Sequence, residues 1–123
     1  MERTKAVIEE ASVHKIVGDL FKRKPPGLRF NETDAVVITA RTEDGRVMTE
    51  TFYLCLKPDG TFDEQSMGSD ASQARRHRLA RFIRYYGFAE DISIYNLRDG
   101  VGNWKGRAVE VLPSEKGDII FTP

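Results

Sequence analysis

Hydrophobic and polar positions alternate most regularly between residues 34 and 57. The segments DAVVITART and RVMTETFYLCLK are rich in β-branched and aromatic residues and are separated by Glu43-Asp44-Gly45. This pattern predicts two strands, 34 to 42 and 46 to 57, joined by a tight turn. Parity selects the turn length. A two-residue Asp-Gly loop would put Val36, Ile38 and Ala40 on the face of Thr49, Thr51 and Tyr53. A three-residue loop, with Gly45 in the left-handed region, aligns them instead with Met48, Phe52 and Leu54. The apolar match favours three residues. Glu50 is then the misfit on the apolar face and needs a partner such as an arginine, or a place near the sheet edge. The opposite face carries Val37, Thr39, Arg41, Thr49, Thr51, Tyr53 and Lys57.

The period changes after residue 70. Ala71 to Tyr86 contains no glycine or proline, Asp70 and Gln73 have the spacing of a capping box, and Gly87 stands where a C-terminal cap belongs. A helix is predicted. At about 100° per residue, Leu79, Phe82, Ile83 and Tyr86 share one face, while His77, Arg78, Arg81, Arg84 and Tyr85 share the other. The first set is expected to pack, the second to face solvent or a partner.

At the N-terminus the helical angles split Val7, Ile8 and Ala11 from Val13, Ile16, Val17 and Leu20. A strand through Ala6 to Val17, bulged near Glu9-Glu10, fits the β-branched content better than one helix. A short helix over 13 to 21 is the alternative. Pro25-Pro26-Gly27 marks a loop. Beyond the helix, SIYNLRDGVGNWKG precedes two short strand candidates, Arg107 to Leu112 and Asp118 to Thr122. Gly100 and Gly102 with Lys105-Gly106 do not make a phosphate loop, because no Gly-Lys-Ser/Thr follows and the next element is a strand; a plain glycine turn is expected. Trp104 is expected at the edge of the core.

Charge adds a second pattern. The 19 basic and 19 acidic residues cancel overall, yet residues 71 to 89 hold five arginines and no acid. Residues 34 to 70 hold three basic and eight acidic groups. The plainest consequence is that the acidic middle pairs with the arginine helix. A second acid-free run, Lys22 to Arg29, is flanked by Phe21 and Phe30, and basic plus aromatic groups attract a polyanion with π-faces.

The element order, strand, strand, strand, helix, strand, strand, resembles the OB-fold. That family is a five-stranded Greek-key barrel, here mainly β with one helix (α+β) and spanning 1–123 as one OB-like domain. The resemblance implies that the second and third strands and their flanking loops bind single-stranded nucleic acid. On this chain those positions are Thr39, Arg41, Thr51, Tyr53 and Lys57 on the strands, and Lys22, Arg23, Lys24, Arg29 and Phe30 in the first loop. In such barrels the helix usually plugs the bottom, so Arg78, Arg81, Arg84 and Tyr85 would form a second basic surface, a docking site for an acidic protein, or a solvated face.

Other classes find less support in the residues. There is no Gly-x-Ser-x-Gly turn and no His-Glu-x-x-His pair, so no catalytic residues and no cofactor are expected. One cysteine, Cys55, and two histidines, His14 and His77, cannot assemble a zinc cluster. Asp34, Glu43, Asp44, Glu50, Asp59, Asp63 and Glu64 could supply a magnesium site to a nucleic-acid enzyme, but their spacing follows no motif. MERTKAVIEE lacks the features of a signal peptide and no apolar run spans a bilayer, so the chain is expected to be cytoplasmic.

Overall fold

The computed structural model describes residues 2–19, 22, 32–64, 70–115 and 117–123. Five strands form one antiparallel sheet: β1 (Thr4–Lys15), β2 (Asp34–Thr42), β3 (Val47–Leu54), β4 (Ala108–Ser114) and β5 (Gly117–Ile120). Their spatial order is β3-β2-β1-β4-β5. The helix α1 (Asp70–Tyr85) follows β3 and packs on it. Before β4 come a 3-10 turn at Ile92–Ile94, a one-turn helix α2 (Leu97–Gly100) and a second 3-10 turn at Val101–Trp104.

The hairpin has the three-residue turn that parity requires. Thr42 and Arg46 bracket Glu43, Asp44 and Gly45, with the Thr42 N–H donating to the Arg46 carbonyl at 2.8 Å. Gly45 adopts φ +89°. In the resulting register Ala40 faces Met48, Ile38 faces Glu50 and Val36 faces Phe52, and all of these except Glu50 are buried apolar residues. Strand β3 ends at Leu54, so Lys57 lies beyond it in the turn that Pro58-Asp59-Gly60 closes.

Strand β1 carries the expected bulge. Its pairing with β2 slips between Ile8 and Glu10, leaving Glu9 as the extra residue. Ala6 and Ile8 point into the core, and after the bulge Ala11 and Val13 do so. One inserted residue thus reconciles two apolar runs of opposite parity. The strand runs from 4 to 15, against the expected 6 to 17, and rules out a helix over 13 to 15; an isolated bridge at Val17 interrupts the turn that follows. The Pro25-Pro26-Gly27 loop lies outside the described residues.

Helix α1 ends as its glycine predicts. Gly87, at φ +75°, donates to the Arg84 carbonyl at 3.1 Å, and Phe88 donates to the Ile83 carbonyl at 2.9 Å, the paired bonds of a Schellman cap. The side chain of Asp70, the proposed N-terminal cap, lies outside the described residues. Leu79, Phe82 and Ile83 are fully buried against the inner face of the sheet. The Phe82 ring lies 5.7 Å from Phe52, 5.3 Å from Tyr86 and 5.3 Å from Trp104. Trp104 is fully enclosed, which places it inside the core and not at its edge. Its indole stacks on Phe88 at 4.8 Å and donates to the Tyr95 hydroxyl at 2.9 Å.

The predicted barrel is not closed. β3 and β5 approach one another but share no backbone ladder. Glu50 and Arg78 occupy the seam between them. Glu50 accepts from the Ile120 N–H at 2.8 Å, and Arg78 donates to the Ile120 carbonyl at 2.8 Å. Both terminal guanidinium nitrogens of Arg78 also bond the Glu50 carboxylate, one of them at 3.2 Å. Side chains thereby satisfy the outer edge of β5 where a strand would otherwise do so. Among the described residues no helix is long and apolar enough to cross a membrane.

Gly45→Ala is expected to lower stability by about 1 kcal/mol, because Cβ is disfavoured at positive φ. No atom lies within 4 Å of the added carbon, so the cost is conformational and not a clash. A shift of the urea midpoint at unchanged slope would measure it; an unchanged midpoint would contradict this turn geometry.

Candidate nucleic-acid interface

Pairing of β1, β2 and β3 builds the outward face row by row. Val7, Arg41 and Val47 form the row nearest the hairpin turn, followed by Glu10, Thr39 and Thr49, then Ser12, Val37 and Thr51, then His14, Ala35 and Tyr53. From the first row to the last is roughly 20 Å at the rise of an extended strand. Thr39 and Thr49 hydroxyls are 3.3 Å apart, and Ser12 and His14 share a hydrogen bond of 2.8 Å. Tyr53 and His14 are half-buried at one end, with Ala35 fully buried between them. Arg41 is exposed at the other end and Lys57 is exposed beyond Tyr53.

The candidate positions on the strands, Thr39, Arg41, Thr51 and Tyr53, therefore share one face. The first loop leaves β1 after Lys15 and enters β2 at Asp34, both at the Tyr53 end. Lys22 in that loop is exposed. Arg23, Lys24, Arg29 and Phe30 lie outside the described residues. Ser12, His14, Glu9 and Glu10 belong to the same face and were not singled out from the sequence. The bulge is the signal that would have found them, since it fixes which β1 side chains point outward.

Open hollows flank the bulge. One is lined by Lys5, Val7, Glu9, Arg41 and Ala108 among others, the next by Glu9, Glu10, Thr39 and Lys105. Glu9 lines both. Its carboxylate lies 3.2 Å from Arg41 Nε.

The arginine helix has a different character. Arg75 bonds Glu32, which is 2% exposed, and Arg76 is itself 2% exposed. Arg78 is held by Glu50 and stands 4.9 Å over the Phe52 ring. Arg84 makes two bonds to Glu64, at 2.6 and 2.9 Å. Arg81 and Tyr85 are exposed. Of the four positions expected to form a second basic surface, two are thus held in ion pairs with acids from the segment that precedes the helix. The pairing of the acidic middle with the helix is what these contacts show.

The acids considered for a metal site are dispersed. Asp44 bonds Thr42 and Arg46, Asp59 bonds Thr61, and Asp34 is buried beside Thr33 with Arg98 at 3.8 Å. Among the described residues no three His, Cys, Asp or Glu side chains are grouped to hold an ion. Cys55 is half-buried and unbridged.

The hydrogen bond from Arg84 holds the Glu64 carboxyl below its ordinary value of 4.5. A depressed acid stabilises the fold above that ordinary value and loses the contribution as pH falls through the lowered one. Glu64→Gln should therefore lower stability slightly at pH 7, by less than about 1 kcal/mol for so exposed a partner, and the difference from the unchanged protein should fade as pH falls below 4.5 and disappear below the lowered value. A difference that grows on acidification would contradict the pairing. Comparison of the chain with protein-family models, with curated proteins and with solved structures finds no match in any of the three.

Proposed function

We propose that this protein is a small single-stranded nucleic-acid-binding module with little sequence preference, and that its binding face is the outward face of β1, β2 and β3. One observation carries the reading. A half-buried aromatic, Tyr53, lies on one face with Thr39, Thr49 and Thr51, bracketed by Arg41 and Lys57, and the basic first loop is rooted at the Tyr53 end. Such a face offers a ring for base stacking, hydroxyls for hydrogen bonds and cations for phosphates. The strand order, with β1 between β2 and β4 and with β3 drawn toward β5, supports an OB-type arrangement whose seam is left open. Docking of an acidic protein on the arginine helix has less support, because Arg78 and Arg84 already hold acids of this chain.

Fluorescence anisotropy with labelled single-stranded DNA, single-stranded RNA and duplex tests the proposal. Single strands are expected to bind saturably, with a log–log salt slope on the order of −2 to −3 if three or four phosphates are contacted. Tyr53→Ala is expected to weaken binding by about five-fold or more, at roughly 1–3 kcal/mol per stacked base. Arg81→Ala combined with Arg84→Ala should change it less. Dominance of the helix pair, or no saturable binding at low salt, would overturn the reading.

A further inference from the structure

Glu9 is in the wrong place for a protein that binds a polyanion. It stands on the outward face beside Arg41, where a carboxylate repels phosphate, and its neighbour Glu10 faces the same way. The fold explains why the residue points outward. Ala6 and Ile8 must enter the core before the bulge and Ala11 and Val13 after it, so the extra residue has no inward position. The bulge is pinned from the other side, with the Ile8 N–H bonded to the Arg107 carbonyl at 2.9 Å and the Gly106 N–H to the Ile8 carbonyl at 2.7 Å. None of this requires an acid. A serine or glutamine would serve the bulge equally well.

The carboxylate does have a cationic partner. Arg41 Nε lies 3.2 Å from Glu9 Oε2, and the same guanidinium reaches the Gly45 carbonyl at 3.4 Å. Lys5 and Lys105 line the hollows on either side of Glu9. The Glu9 and Arg41 side chains are 42% and 52% exposed, so solvent and salt screen the pair and a ligand can separate it at small cost.

Resting on the proposed nucleic-acid reading, we propose that Glu9 is a built-in competitor for phosphate: its carboxylate occupies Arg41 in the free protein, and a backbone phosphate of the bound strand takes its place. The exchange breaks one ion pair and forms another. It sets a threshold on affinity, so that a ligand offering several phosphates along the face displaces Glu9 and an isolated anion does not. Arg41 is kept oriented by the Gly45 carbonyl during the exchange.

The experiment compares the full chain with Glu9→Gln, Glu10→Gln, Arg41→Ala and the two double variants that combine Arg41→Ala with Glu9→Gln or with Glu10→Gln, titrating each into a labelled oligothymidylate at low and moderate salt. Circular dichroism melts confirm that each variant is folded. Both glutamine variants remove one negative charge from the same face, but only Glu9 pairs with Arg41. Glu9→Gln is expected to tighten binding about three- to five-fold, the span of an exposed ion pair, and Glu10→Gln by clearly less. The advantage of Glu9→Gln over Glu10→Gln should disappear in the Arg41→Ala background and shrink as salt rises. Equal effects of the two glutamine variants, or weaker binding by Glu9→Gln, would overturn the competitor while leaving the binding reading intact. Absence of saturable binding by the unchanged protein would overturn both.

Discussion

The contact on which the rest depends is the ion pair between Glu50 and Arg78, because three elements meet there. Glu50 belongs to β3, Arg78 to α1, and both bond the backbone of Ile120 in β5. Glu50 faces the apolar interior, where an unpaired carboxylate would cost several kcal/mol. Arg78 supplies the compensating charge in a forked geometry, and Ile120 supplies a donor for one carboxylate oxygen and an acceptor for one guanidinium nitrogen. The Arg78 guanidinium lies over the Phe52 ring, so the same group also covers part of the core. The tie joins the two ends of the sheet without a backbone ladder and fixes the helix over the space between them.

This arrangement turns a charge pattern along the chain into a charge pattern in space. The acidic stretch that contains Glu50 and Glu64 faces the arginine stretch that contains Arg78 and Arg84, and Glu32 meets Arg75 in the same way. The helix that looks most basic in sequence is largely neutralised inside the molecule. The outward sheet face, less conspicuous by composition, keeps Arg41 and Lys57 exposed around its threonines and Tyr53. At the Arg41 end of that face the β1 bulge adds the opposing charge of Glu9.

Features governed by local rules were legible in the sequence. Strand parity gave the turn of the hairpin and the inward set Val36, Ile38, Met48 and Phe52, and the β-branched content of the N-terminal segment gave a strand bulged near Glu9-Glu10. The misfit of Glu50 left two explanations open, a partner such as an arginine or exposure near the sheet edge, and the partner is the one found, Arg78. Which arginine was not legible, since Arg75, Arg76, Arg78, Arg81 and Arg84 differ only in where the helix lands on the sheet. The open seam is likewise a property of two distant strands and has no local signature. The helical turns from Ile92 to Trp104 were not read for another reason: the glycines pointed only to a plain turn near Gly100 to Gly106. Asn96 capping Asp99 was the available signal, with its Oδ1 accepting from the Asp99 N–H at 3.3 Å. Those turns bury Leu97, Val101 and Trp104, which is why the tryptophan is interior. The candidate face was legible on β2 and β3, but on β1 its outward residues depend on the exact position of the bulge, which the sequence placed only near Glu9-Glu10.

A double-mutant cycle at Glu50 and Arg78, read by urea unfolding, tests the central claim most directly. Each single change to alanine is expected to cost about 2–4 kcal/mol, and the coupling between them should exceed about 1.5 kcal/mol and persist at high salt, as a mostly buried pair requires. A coupling below about 0.5 kcal/mol that salt abolishes would be that of an ordinary exposed pair, and would contradict the account of the seam.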